Sequence, residues 1–176
     1  MDEDQYRAVY REINQQRCVF EKAINNRRCD CREKRRFLLA TREGVACEDT
    51  ESQQRCTLFL DTLREGSRFA LRETQINGPL PHNKELKVQA GGCLALQQLL
   101  PAPDTPQTAN TSVSDALLYS GDKTPDTLPP HSTLPDIAQL LDQGHRAYGS
   151  ISTLPYGELV KGVLNYQSRR KRRGGQ

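Results

Sequence analysis

The sequence predicts an all-α fold: a small helical bundle, a Pro/Ser/Thr-rich linker and a C-terminal helical pair. Three observations carry this expectation. Apolar residues recur at three-, four- and seven-residue intervals, helix-capping patterns open several of these stretches, and alternating strand patterns are essentially missing. No repeat of solenoid length is visible.

Tyr6, Val9, Tyr10, Ile13, Phe20 and Ile24 fall on one face of a helix over about 4–26. Asp30-Cys31-Arg32-Glu33 reads as a capping box that starts a second helix over about 31–43, with Gly44 placed to end it. Thr50-Glu51-Ser52-Gln53 offers another capping box, and Cys56, Phe59, Leu63 and Ala70 keep helical spacing up to a stop at Asn77-Gly78-Pro79. A fourth helix covers 84–100, where Gly91-Gly92 permits a close backbone approach or a kink. Residues 101–135 hold seven of the ten prolines and ten Ser or Thr residues, too little apolar surface to offset the entropy of ordering. They read as a flexible linker with at most a short helical touch at 113–118. Beyond it, Ile137, Leu140, Leu141 and Tyr148 mark a fifth helix. Leu159, Val160, Val163 and Leu164 mark a sixth, with Thr153 as its cap. The expected organisation is a cysteine-rich helical domain over 1–100, the linker over 101–135, the helical pair over 136–166 and a basic disordered tail over 167–176.

Composition narrows the function classes. No stretch approaches the ~20 apolar residues of a membrane helix, so no membrane association is expected. The acidic opening, MDEDQYRAVY, lacks an apolar signal segment, and the expected location is the cytoplasm. The net charge of +3 depends on the tail, since SRRKRRGGQ carries five positive charges and no acid. Arg169-Arg170-Lys171-Arg172-Arg173 offers weak contact with nucleic acid or an acidic protein surface. No aromatic residues interleave it to stack on bases. Phosphate loops, nucleophile elbows and dinucleotide fingerprints are absent, and His82, His131 and His145 sit in no catalytic pattern, so the chain is read as a non-enzyme.

The cysteines are the informative anomaly. They fall at 18, 29, 31, 47, 56 and 93, five of them within 39 residues. In a reducing cytoplasm such a cluster more often binds metal or does redox chemistry than forms stable disulfides. Around it, Arg17 to Arg42 contains nine Lys or Arg against Glu21, Asp30 and Glu33, a net +6, which favours thiolates. Cys29 and Cys31 flank the expected helix start and define the geometry of the site. A helix unbroken from Cys18 to Cys29 would hold the two sulfurs ~16 Å apart, so the first helix must stop near Asn25-Asn26. The expected site is therefore a metal centre on Cys18, Cys29, Cys31 and Cys47, with Cys56 as alternative fourth ligand. Cys93 is expected to be a packing residue. An all-thiolate set suits an iron–sulfur cluster, with zinc as the alternative, and the absence of Cys-x2-4-Cys pairs favours the cluster. The function so read is electron transfer, redox sensing or structural support. The rival is a metal-free helical interaction module whose basic tail contacts an acidic partner.

Overall fold

A computed structural model of the chain describes residues 2–73, 80–101 and 134–167. The element order is α1 (Glu3–Ile13), α2 (Glu21–Asn25), β1 (Lys34–Leu39), β2 (Arg42–Cys47), α3 (Thr50–Arg68), α4 (His82–Leu99), α5 (Ile137–Tyr148) and α6 (Tyr156–Asn165), with a 3-10 turn at Ile151–Thr153. Residues 102–133, which hold nearly all of the expected linker, lie outside the described residues, as do 168–176 with the basic run and 74–79 with the expected helix stop.

The all-α expectation is corrected by an antiparallel hairpin. Residues 31–43 are not a helix: β1 pairs with β2 in the register Lys34↔Cys47 to Leu39↔Arg42, around a two-residue turn at Ala40-Thr41. The fold is mixed α/β, mostly helical with one small sheet. Asp30 does not cap a helix here. Its carboxylate accepts from the Cys31 amide at 2.9 Å and pairs with Lys34. Phe37 lies opposite Gly44 and packs on the Tyr10 ring at 5.6 Å between centroids, so Gly44 serves ring packing rather than a helix end. A methyl group at position 44 would collide with that ring.

The expected first helix is also divided. Asp2 and Gln5 form a capping box on α1, which ends at Asn14. The buried Asn14 amide donates to the Tyr10 hydroxyl at 2.9 Å and to the Val45 carbonyl at 3.2 Å. Those bonds turn the chain from helix to an extended path along β2, where Arg17 bridges Ala46. Helix α2 then ends at Asn25, in line with the expected stop, and the turn beyond it uses Arg27 at φ 53°.

Helix α3 is capped by Asp49, whose side chain accepts from the Ser52 amide at 2.7 Å. Helix α5 is capped by Asp136 and closed by Gly149 at φ 80°, a conformation that suits glycine. Pro155, not Thr153, precedes α6. Helices α5 and α6 pack on α3 and α4, with Gly91 against the Val163 backbone and Gly162 against Ala95. Phe20, Ile24, Phe59, Leu60, Leu63, Leu96, Ile137, Leu141, Leu159 and Val163 form one buried aliphatic and aromatic core that draws on both ends of the sequence. No described helix is long and apolar enough to cross a membrane.

Candidate thiol centre

The six cysteines are all buried and all carry free thiols. Backbone pairing brings the first two arms together. The Cys18 amide donates to Val45 O at 3.0 Å and the Cys47 amide to Gln16 O at 2.8 Å, so residues 16–18 run antiparallel to β2, with Cys18 opposite Val45 and Gln16 opposite Cys47. A second bracket holds Cys29 and Cys31. Between them, the Asp30 amide donates to Pro135 O at 2.8 Å, and the Ile137 amide donates to Asp30 O at 2.9 Å. Arg32 reinforces the bracket through its amide on Asp136 and its guanidinium on Asp142. Cys56 enters from the inner face of α3 and Cys93 from the middle of α4.

The six thiols all influence one another's acidity. Cys18, Cys31, Cys47 and Cys56 form a quartet in which every member lies within electrostatic influence of the other three. Cys29 and Cys93 border the quartet: Cys29 influences Cys18 and Cys93, and Cys93 in turn feels Cys31 and Cys56. Of the set expected from the sequence, Cys18, Cys31 and Cys47 are thus brought together. Cys29 lies beside them, and Cys56 completes the group.

Burial dominates the acidity of the quartet. It pushes the Cys18 thiol up to about 12 and the Cys31 thiol to about 11, and it raises Cys47 and Cys56 above the ordinary 9.0. The positive zone of the sequence therefore does not make these thiols acidic, as expected from charge alone. Its charges are largely spent in pairs: Arg17–Glu21, Lys34–Asp30, Arg36–Glu43 and Arg42–Glu3. Backbone amides act in the opposite direction to burial. The Phe20 amide points at the Cys18 sulfur, those of Glu33 and Ala138 at Cys31, and those of Asp49 and Glu48 at Cys47. The Cys47 thiol also donates to Asp49 O at 3.1 Å. Five N–H groups on three sulfurs form a ready setting for negative charge once a cation displaces the protons.

Solvent reaches the centre on one side. A cleft of about 430 Å³ includes Cys18 in its wall and is flanked by Arg17, Lys22, Arg64 and Glu85. Cys18 and Cys47 keep 8% of their surface exposed, whereas Cys93 keeps none. Among the described residues no group of three or more His, Cys, Asp or Glu side chains is arranged to hold a metal ion as it stands. His82 and His145 are exposed at helix ends.

Two contributors were illegible in the sequence. Asp136 and Ala138 lie more than 100 residues from Cys31, and only the packing of α5 against the Asp30 bracket brings them there. Cys56 had a signal, its place on the apolar face of α3, but that face reads equally as simple core. Comparison with protein-family models, with curated proteins and with solved structures finds no match to this chain.

Proposed function

We propose that this protein is a thiolate metal-centre protein that holds an iron–sulfur cluster on Cys18, Cys31, Cys47 and Cys56. The observation that carries this reading is the quartet itself: four buried thiols from four separate segments, each within electrostatic influence of the other three. Backbone amides aimed at three of the sulfurs add to it, because such bonds stabilise thiolate ligands and tune cluster potentials. A single zinc, with Zn–S near 2.3 Å, would require the four sulfurs to close to about 3.8 Å from one another. Widely spaced ligands with no Cys-x2-4-Cys pair favour iron–sulfur over zinc.

In this reading the chain's own residues bind, shield and bias the centre. Each ligand gives up a proton as it takes the metal, so affinity rises with pH. The Glu33 and Ala138 amides hold the Cys31 ligand in place, and the core formed by α3 and α4 excludes water from the inner side. The group would supply one-electron transfer or structural cohesion. The protein would work in the cytoplasm, passing electrons or a redox signal to a protein partner. The arginine run at 169–173 would add weak contact with an acidic surface or nucleic acid.

Anaerobic reconstitution with iron and sulfide, followed by metal analysis and a visible spectrum, tests the proposal. Brown protein with stoichiometric iron and sulfide is the expected result. Stoichiometric zinc with no iron uptake would replace the metal. A colourless, metal-free chain would overturn the reading and leave a helical interaction module.

A further inference from the structure

Helix α1 carries a repeated dipeptide, Tyr6-Arg7 and Tyr10-Arg11, one helical turn apart. The i, i+4 interval sets the two tyrosines in one row and the two arginines in the row beside it. Tyr6, Val9, Tyr10 and Ile13 share an apolar face in the sequence, yet no residue of α1 is buried. A cleft of about 370 Å³ opens there instead, lined by Tyr6, Arg7, Tyr10 and Arg11 from α1, with Arg17 and Glu21 from the chain that follows.

Bonds within the chain fix part of this lining and leave the rest open. The buried Glu21 carboxylate accepts from the Tyr10 hydroxyl, from Arg17 at 2.7 Å and from the Val45 amide at 3.1 Å. Arg17 lies over the Tyr10 ring at 5.4 Å, and Arg42 lies over the Tyr6 ring at 4.6 Å. The two tyrosine rings stand 5.8 Å apart, and Phe37 backs Tyr10 at 5.6 Å. Arg7 meets Glu3 only in an exposed pair at 3.3 Å, which solvent screens. Arg11 and the Tyr6 hydroxyl have no partner among the described residues. The lining carries three guanidinium groups against one carboxylate, a net +2.

We infer that this cleft binds a nucleoside monophosphate. Its phosphate carries about −1.5 to −2 at neutral pH, which the positive lining complements. Arg7 and Arg11, a turn apart, offer it forked donors. The tyrosine wall and its guanidinium groups supply the flat surfaces on which a base stacks. Volume selects the free nucleotide over a strand: about 370 Å³ lies at the small end of ligand sites and takes one nucleotide unit. The inference does not rest on metal at the thiol quartet.

Equilibrium dialysis of the full chain at low salt tests it, with adenosine monophosphate, ribose phosphate and inorganic phosphate as probes. Adenosine monophosphate should bind at one per chain, about fivefold or more tightly than ribose phosphate, because only the former stacks a base. Its binding should weaken as salt rises. Arg11→Glu removes no contact within the chain and should weaken binding by about tenfold or more, with circular dichroism and metal content unchanged. Tyr6→Ala should weaken it by about fivefold. Should Tyr6→Ala fail to fold, Arg11→Glu decides alone. No uptake of adenosine monophosphate at millimolar concentration overturns the inference, as does equal affinity for ribose phosphate. Full binding by Arg11→Glu also overturns it and moves the contact to the arginine run at 169–173. A single-stranded oligoadenylate that binds more tightly than the monophosphate, and loses that binding in Arg11→Glu, overturns the free nucleotide in favour of a strand.

Discussion

At the scale of single residues, the proposed function rests on the thiols, and one carboxylate decides much of the stability. Single serine substitutions distinguish the quartet from the set expected on spacing. Cys31→Ser, Cys47→Ser and Cys56→Ser should each abolish stoichiometric metal, whereas Cys29→Ser and Cys93→Ser should retain it, as read by metal content per chain. Glu85 is 1% exposed and receives the Arg64 guanidinium at 2.6–3.2 Å, the Gln89 amide at 2.7 Å and the Leu80 amide at 3.3 Å. Burial raises its pKa, but the bonds and charge of Arg64, with help from Gln89 and Leu80, outweigh that and hold it below the ordinary 4.5. Its contribution is therefore present above pH 4.5 and is lost as pH falls through the lowered value. Glu85→Ala, which leaves Arg64 only its pair with Asp61, should cost about 3 kcal/mol. Glu85→Gln should flatten the acid limb of stability against pH. Urea midpoints measured from neutral pH down to about pH 3 check both.

At the scale of elements, the α4–α6 contact and the hairpin are the points of interest. A methyl group at Gly91 would come 2.8 Å from Val163 Cα and 3.0 Å from Tyr166 Cβ, both on the partner segment. Backbone cannot yield as a side-chain tip does, so Gly91→Ala should destabilise by about 1–3 kcal/mol. Gly157, exposed on α6, has nothing within 4 Å of a built methyl. Gly157→Ala should instead stabilise by about 0.5–1 kcal/mol through reduced unfolded-state entropy. Denaturant melts of the two variants give opposite signs if the helices pack as described. The hairpin shows where sequence reading fails at this scale. Asp30 and Glu33 have helix-capping spacing and Gly44 suits a helix end, yet β1 and β2 are only six residues each. Such short strands carry too few alternations to outvote capping signals, and their pairing with residues 16–18 is a non-local contact.

For the whole molecule, the buried thiols predict an alkaline limit. Burial raises Cys18 to about 12 and Cys31 to about 11, so the folded chain holds protons that the unfolded chain releases. Stability from these groups is full below 9.0 and falls as pH rises through the folded values. The thermal midpoint of metal-free protein should therefore drop steadily above pH 9, and metal loading should remove that slope because the ligands are already deprotonated. A flat midpoint in metal-free protein across that range would contradict the burial of the quartet.

The sequence by itself determined the helical stretches at α3, α4, α5 and α6, because sustained apolar periodicity and local caps are written in neighbouring residues. It also placed a helix end near Asn25-Asn26, where α2 stops. Tertiary structure decided the rest. Burial outweighed local positive charge and raised the Cys18 and Cys31 thiols, and the hairpin that stands in place of a helix pairs β2 with residues 16–18 and sets Phe37 on Tyr10. The proposed use of Cys56 in place of Cys29 rests on the same kind of contact. The pairing of Asp30 with Asp136 and the approach of α3 and α4 bring together residues far apart in the sequence, and spacing along the chain does not encode which sulfur ends beside which.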